Sequence, residues 1–147
     1  FKESGNIGSL LVLDLDYFKR INDTYGHDVG DLALIHFAKT VTQLIRKEDE
    51  LIRLGGEEFA IVLPQVSAEE SRFLAERICK VVASTPLLYR DEAITITVSI
   101  GVAYAFEHSE INLDRMLIRG DACLYKAKKA GRNCVVYDTD DRLEITA

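Results

Sequence analysis

The sequence predicts an α+β fold in which helices pack on a mostly antiparallel sheet, and three observations carry that reading. Strand-like and helix-like stretches follow one another in the order β-α-α-β-β-α-β-α-β, mixing hairpins with crossover helices. Gly55-Gly56 lies between two short apolar runs, a hairpin signature that makes the flanking strands antiparallel neighbours. Apolar residues are 48% of the 147, enough to build one sizeable core, and no repeat or Pro/Ser-rich linker divides the chain, so residues 1–147 are expected to form a single domain.

Residues 9–15 read as a buried strand that ends in acids. Residues 17–24 form a short helix stopped around Tyr25-Gly26, and Asp28 is the expected cap of the next helix. In that helix Leu34, Phe37, Ala38, Val41, Leu44 and Ile45 recur at helical spacing. Residues 50–54 and 58–63 are the two arms of the hairpin, and Pro64 ends the second. Residues 68–82 are amphipathic, with Phe73, Leu74, Ile78 and Val81 expected to face inward. A small hairpin is expected at 87–92 and a strand over the β-branched run 94–102. Residues 113–129 form the last helix, ended by Gly131, and residues 133–137 a final short strand.

Composition excludes several function classes. The charged share of 29% is ordinary for a soluble chain, and no apolar run approaches the length needed to cross a bilayer. The net charge of −6, from 24 acidic against 18 basic residues, disfavours nucleic acid as the main partner, although a metal ion can still mediate contact with a polyanion. Cys79, Cys123 and Cys134 are odd in number and form no CxxC pair, while His27, His36 and His108 are scattered. Packing roles for reduced cysteines and a cytoplasmic setting follow, with no disulfide framework or structural zinc. A chain that opens on Phe1 without a signal peptide is expected to be a domain excised from a longer regulatory protein, whose other parts could include a membrane anchor.

Two acidic clusters stand out. Asp14 and Asp16 flank Leu15, so both carboxylates leave the sheet on one face. They are either solvated acids at a strand end or oxygen ligands for a hard cation such as magnesium. Gly55-Gly56-Glu57-Glu58-Phe59 places two acids on an otherwise apolar strand, an expensive arrangement if buried without compensation and an ordinary one on an exposed edge. Lys126, Lys128, Lys129 and Arg132 read locally as a cationic helix end that complements the dipole.

Taken in order, these segments resemble the GGDEF family of diguanylate cyclases, here in the GGEEF form. The matching segments are Asp14-Leu15-Asp16-Tyr17-Phe18-Lys19, Asn22-Asp23-Thr24-Tyr25-Gly26-His27 and Gly30-Asp31. Arg53-Leu54-Gly55-Gly56-Glu57-Glu58-Phe59 and Val98-Ser99-Ile100-Gly101-Val102 follow, and the last is Asp121-Ala122-Cys123-Leu124-Tyr125-Lys126-Ala127-Lys128 running into Gly131-Arg132-Asn133. Together they span about residues 10–136. The resemblance implies an architecture like that of class III nucleotidyl cyclases and polymerase palms. It implies condensation of two GTP into cyclic di-GMP with release of two pyrophosphates, by a homodimer that holds one GTP per subunit.

Carried over residue by residue, the resemblance makes Asp14, the Leu15 carbonyl and Glu57 the ligands of magnesium, or of manganese in its place. Glu57 is also the general base, and Lys19 stabilises charge on the phosphates. Asn22 and Asp31 read guanine, His27 and Glu58 lie beside the nucleotide, and Lys128 and Arg132 grip the terminal phosphates. Arg46-Lys47-Glu48-Asp49 lies five residues before the signature, where the family's RxxD product-inhibition site falls, and Arg77 stands where a second arginine is often offered to that site in a neighbouring molecule. Leu15 replaces a frequent Ile or Val, which changes nothing if only its carbonyl ligates. Two alternatives remain open on sequence: a non-catalytic receptor for cyclic di-GMP or GTP, and an adenylate- or mixed-nucleotide cyclase, against which Asn22 and Asp31 argue.

Overall fold

The computed structural model describes residues 7–105 and 112–138. In chain order its elements are β1 (Ile7–Leu15), α1 (Phe18–Tyr25), α2 (His27–Thr42), β2 (Glu50–Gly55), β3 (Glu58–Pro64) and α3 (Ala68–Ser84). β4 (Leu87–Tyr89), β5 (Glu92–Ile94), β6 (Val98–Tyr104), α4 (Leu113–Lys129) and β7 (Val135–Tyr137) complete them. Five strands share one sheet in the order β2-β3-β1-β6-β7, and β4 and β5 make a separate hairpin. Every pairing is antiparallel except β6 with β7. The α+β expectation, with a mostly antiparallel sheet between helices, is therefore met.

β1 takes the centre because its run is apolar on both faces, as a doubly covered strand must be. Leu11, Leu13 and Leu15 join Phe59, Ile61 and Leu63 of β3 and Val98, Ile100 and Val102 of β6 in the larger core, with Phe37 and Val41 of α2 and Ile78 and Val82 of α3. The alternate row, Leu10 and Val12, faces α4 through Met116 and Leu124, beside Ala60, Val62 and Ala103. Asp14 falls on this second row at its far end, opposite Glu58 on one side and Ser99 on the other.

α4 lies unusually close to the sheet. A Cβ on Gly101 would stand 2.2 Å from the Gly120 carbonyl oxygen and 2.4 Å from the Leu124 nitrogen, and one on Gly120 would stand 2.6 Å from Val12 Cγ2. Glycine at both positions lets helix and strand backbones touch, and that contact brings the C-terminal end of α4 over the end of β1.

Five local expectations need correction. α2 ends at Thr42, so Leu44 and Ile45, expected on that helix, pack against the core from the turn that follows it. α2 begins at His27 with Gly26 as its N-cap, at φ 94°, and Asp28 sits inside the first turn, where its charge faces the helix dipole. The run 94–102 is not one strand: Ile94 closes β5 and β6 starts at Val98. The break arises because Thr97 turns to the β1–α1 junction, its carbonyl accepting from Asp16 N–H and its hydroxyl donating to the Asp16 carboxylate. On α3 the buried stripe is Ser71, Ala75, Ile78, Cys79 and Val82. Phe73 is 71% exposed, while Leu74 and Val81 are half-buried. Residue 71 is inside because its hydroxyl bonds the buried Ser9 hydroxyl and the Ser67 carbonyl. β7 starts at Val135, two residues late, because Arg132 and Asn133 have φ of 65° and 49°.

The three cysteines are free, and burial pushes the Cys79 thiol up to about 11. Among the described residues no helix is long and apolar enough to cross a membrane.

Gly101→Ala is expected to lower stability by about 3 kcal/mol, because the added methyl meets helix backbone that cannot step aside. Urea unfolding followed by circular dichroism measures it, and an unchanged midpoint would show that α4 is free to retreat from the sheet.

Candidate functional site

The C-terminal end of β1 gathers most of the residues singled out from sequence. Asp14 is 7% exposed and receives a hydrogen bond from Lys128 Nζ at 2.7 Å, reaching down from α4. Burial pushes its carboxyl above the ordinary range; the Lys128 bond and charge pull it back, and the charges of Glu57 and Glu58 raise it again. Glu58 is the cross-strand partner of Asp14, and the Glu57 carbonyl accepts from Leu15 N–H at 3.2 Å. The hairpin turn at Gly55 and Gly56, with φ of 150° and 53°, folds these two acids back onto the end of β1.

Asp14, Glu57, Glu58 and Lys128 are thus brought together, with Leu15 between them. Among the described residues no group of three or more His, Cys, Asp or Glu side chains is arranged to hold a metal. The expected set asks for less, two carboxylates and one backbone carbonyl, all hard oxygen donors. A buried Asp14 whose charged form is disfavoured, next to two more acids, has the chemistry of a cation site, so these residues fit one.

Asp16, the other acid of the pair, has a different environment. It is 4% exposed, and its carboxylate accepts from Ser99 Oγ at 2.6 Å, Thr97 Oγ1 at 2.8 Å and Asn133 N–H at 2.9 Å. Both acids leave the sheet on one face, as expected, but every contact of Asp16 is internal. Tyr17, the next residue, caps α1 in the left-handed region at φ 57°. Its ring faces two guanidinium groups, Arg20 at 4.3 Å and Arg132 at 5.0 Å from the ring centre. On sequence Asp16 reads, with Asp14, as a solvated acid or a cation ligand; the structure instead buries it and gives it three internal donors, while Tyr17 carries no sequence signal. Arg132, a sequence candidate, meets this corner through the Tyr17 ring.

Asn22 on α1 meets the start of α2. A Cβ on Gly30 would lie 1.8 Å from Asn22 Oδ1, so glycine there makes room for the amide. That oxygen is buried and has no hydrogen-bond partner among the described residues. Asp31 follows Gly30 and is exposed, and His27 and Lys19 are exposed in the first turns of α2 and α1. The exposed Asp31 carboxylate can accept from a ligand rich in N–H donors, while the Asn22 oxygen is packed against Gly30.

A second cleft, of about 510 Å³, lies behind β3. Its lining includes Arg46, Asp49, Phe73, Leu74 and Arg77, so the three residues expected for an inhibitory site do share one surface. Arg46 binds Asp49 through Nε and Nη2, at 3.1 and 2.7 Å, and donates from Nη2 to the Pro64 carbonyl at 2.8 Å. Phe73 adds an exposed ring on the same helical face as Arg77, four residues on. The signal for it was that i, i+4 spacing, hidden because an apolar residue on an amphipathic helix is assigned to the core.

Residues 2–134 match the family described as diguanylate cyclase, GGDEF domain. The diguanylate cyclase DgcP of Pseudomonas aeruginosa is 42% identical over 136 residues, which is 92% of this chain and 19% of that protein. The active GGEEF domain of a diguanylate cyclase from Vibrio cholerae is 36% identical with a TM-score of 0.81, over 90% of this chain and 83% of that one. The GGDEF domain of DgcB from Caulobacter crescentus, solved in complex with c-di-GMP, is 35% identical with a TM-score of 0.82, over 92% of this chain and 79% of that one. The chain spans under half the length of the curated relatives it matches, between 19% and 41% in three of them. The family match over most of the chain, on a fold that gathers the signature acids at the end of β1, shows that this chain belongs to the GGDEF diguanylate cyclase domain family.

Proposed function

We propose that this chain is a diguanylate cyclase module, working within a longer cytoplasmic regulatory protein and joining two GTP into cyclic di-GMP with release of two pyrophosphates. The observation that supports this most is Asp14, a buried acid beside Glu57 and Glu58 whose ion-pair partner among the described residues is Lys128. Burial holds the Asp14 carboxyl above its ordinary range, and acids perturbed in this way gather at functional sites. The relative described as an active GGEEF domain carries the same Glu-Glu signature, which supports Glu57 in the role taken by aspartate in the family name.

In this reading Asp14, Glu57 and the Leu15 carbonyl hold magnesium, or manganese, which when bound neutralises phosphate charge and acidifies the attacking hydroxyl. Glu57 accepts the 3′-hydroxyl proton as that oxygen attacks the α-phosphate of the GTP held by a second copy of the chain. Lys19, Lys128 and Arg132 take charge on the phosphates, and Lys128 leaves Asp14 to do so. Asp31 accepts from the N1 and N2 donors of guanine, a pattern adenine does not offer, while Asn22 engages guanine's acceptors. His27 and Glu58 line the nucleotide. Arg46, Asp49 and a partner copy's arginine equivalent to Arg77 bind the product at the second cleft, a reading supported by the relative solved with c-di-GMP.

Incubation with GTP and magnesium is expected to yield cyclic di-GMP by mass spectrometry, and Glu57→Gln to lose at least about 100-fold in turnover. No product from a sample confirmed to be dimeric would overturn the cyclase reading and favour a receptor role.

Gly30→Ala is expected to leave thermal stability unchanged or slightly higher, since only the flexible Asn22 side chain must move and alanine favours helix. The displaced amide should weaken GTP binding about tenfold without improving ATP binding, read by calorimetry. Unchanged GTP affinity would remove Asn22 from the guanine site.

Arg46→Ala is expected to abolish inhibition of turnover by added cyclic di-GMP. Asp49 keeps the Arg46 backbone N–H at 2.7 Å but loses its guanidinium partner, so the variant is expected to be less stable and its fold is checked by circular dichroism before the assay. Persistent inhibition in this variant would refute the second site.

A further inference from the structure

The turn after α4 is held in an unfavourable shape by the turn after β1. Gly131, Arg132 and Asn133 have φ of 119°, 65° and 49°; glycine and asparagine adopt the left-handed region readily, but the Arg132 side chain resists it. Such backbone persists only where its surroundings fix it. Part of that fixing is local, since Arg132 N–H donates to the Ala127 carbonyl at 3.0 Å. The rest comes from far along the chain: Asn133 N–H donates to Asp16 Oδ2, and the Arg132 guanidinium lies over the Tyr17 ring.

We infer that Asp16 and Tyr17 are positioning residues for the triphosphate, which act on it through Arg132. This rests on the proposed reading of Arg132 as a phosphate grip. Asp16 is buried and both its oxygens are already taken, Oδ1 by Ser99 and Oδ2 by Thr97 and Asn133, so it serves as a fixed acceptor and not as a cation ligand. Thr97 and Ser99 hold the carboxylate against the edge of β6, and Asn133 hangs from it. Tyr17 completes the hold from the other side. It caps α1 without a side-chain hydrogen bond, and its ring stands between Arg20 of α1, at 4.3 Å, and Arg132, at 5.0 Å. A long arginine loses conformational freedom when it binds phosphate, and a guanidinium already laid on a ring has lost part of it beforehand. The DxD pattern at positions 14 to 16 therefore divides its labour. Asp14 faces the cation, and Asp16 with its neighbour Tyr17 faces the residue that grips the anion.

The test is calorimetric binding of 3′-deoxy-GTP, which lacks the attacking hydroxyl and cannot turn over, compared with 3′-deoxy-GMP. Arg132→Gln is expected to weaken the triphosphate about tenfold and leave the monophosphate alone. Tyr17→Leu should weaken the triphosphate about threefold and Tyr17→Phe should restore it, because either aromatic ring serves the cation. Asp16→Asn should weaken it about threefold, since a neutral amide oxygen is a weaker acceptor for Asn133 N–H than the carboxylate. Neither substitution should add to Arg132→Gln, and Mn²⁺ binding to the nucleotide-free chain, read by electron paramagnetic resonance, should be unchanged in Asp16→Asn.

A raised dissociation constant in Arg132→Gln with normal binding in Tyr17→Leu overturns this inference alone. Normal triphosphate binding in Arg132→Gln overturns the phosphate reading and the inference with it. Equal losses for mono- and triphosphate in Tyr17→Leu, or additivity with Arg132→Gln, show a general structural role and overturn it too. Loss of Mn²⁺ in Asp16→Asn makes Asp16 a ligand instead. If Asp16→Asn does not fold, the Tyr17 pair of variants decides the matter by itself.

Discussion

Two carboxylates buried at the end of the central strand set the terms for everything around them. Removing an ion from water costs several kcal/mol even after the protein relaxes, so each must be compensated on the spot. For Asp16 the compensation is complete: three donors from the β5–β6 link, β6 and the turn before β7 converge on it. Hydrogen bonds to a charged acceptor contribute about 1.5–3 kcal/mol each, enough together to offset such a cost. For Asp14 compensation is partial, with one lysine against two neighbouring acids and burial still dominating its pKa. The same strand end therefore carries one acid that fastens the fold and one whose charge is still poorly compensated.

The asymmetry of the sheet makes this possible. On the α2 and α3 side the core is built from Phe37, Phe59, Leu63 and Ile100, and the helices stand off at the distance such side chains require. On the α4 side the neighbours are Ala60, Ala103, Gly101 and Gly120, and the helix comes down onto the strands until backbones meet. Only a helix that close can lower Lys128 onto Asp14 and deliver the Gly131–Asn133 turn to Asp16. Small residues on one face thus act at the site without touching it.

Much of this was legible in the sequence because it is local. The β1 run, the hairpin glycines and both ends of α4 were read correctly from periodicity and breaker residues. What escaped depends on contacts across long stretches of chain. The bond between Asn133 and Asp16 spans 117 residues and that between Thr97 and Asp16 spans 81, and no window of periodicity reports either. The apparent strand over 94–102 failed for that reason: its β-branched composition was right, but Thr97 is claimed by a turn elsewhere. Phe73 failed differently, since hydrophobicity cannot distinguish a ring bound for the core from one lining a cleft. Of the candidate site, the acids and basic residues were legible as types in a pattern, while the division between Asp14 and Asp16 was not, because the two differ only in what surrounds them.

Both clefts share one electrostatic habit. Lys128 neutralises Asp14, and Arg46 neutralises Asp49, whose side chain is fully buried. In each pair the acid is inside and the base reaches it from a more exposed position, so the base is the member free to leave. An anionic ligand that captures the base must also leave the acid with a substitute partner, since an unpaired buried carboxylate is costly. In the proposed reading a cation arriving with the phosphates is that substitute at Asp14, and a guanine N–H pair is that substitute at Asp49. Binding at either place would then be an exchange of ionic partners. Exchange rewards ligands that bring both an acceptor for the base and a donor or cation for the acid, and it disfavours simple anions that bring only the first. On that proposal a chain of net charge −6 holds polyanionic nucleotides without a broad basic surface.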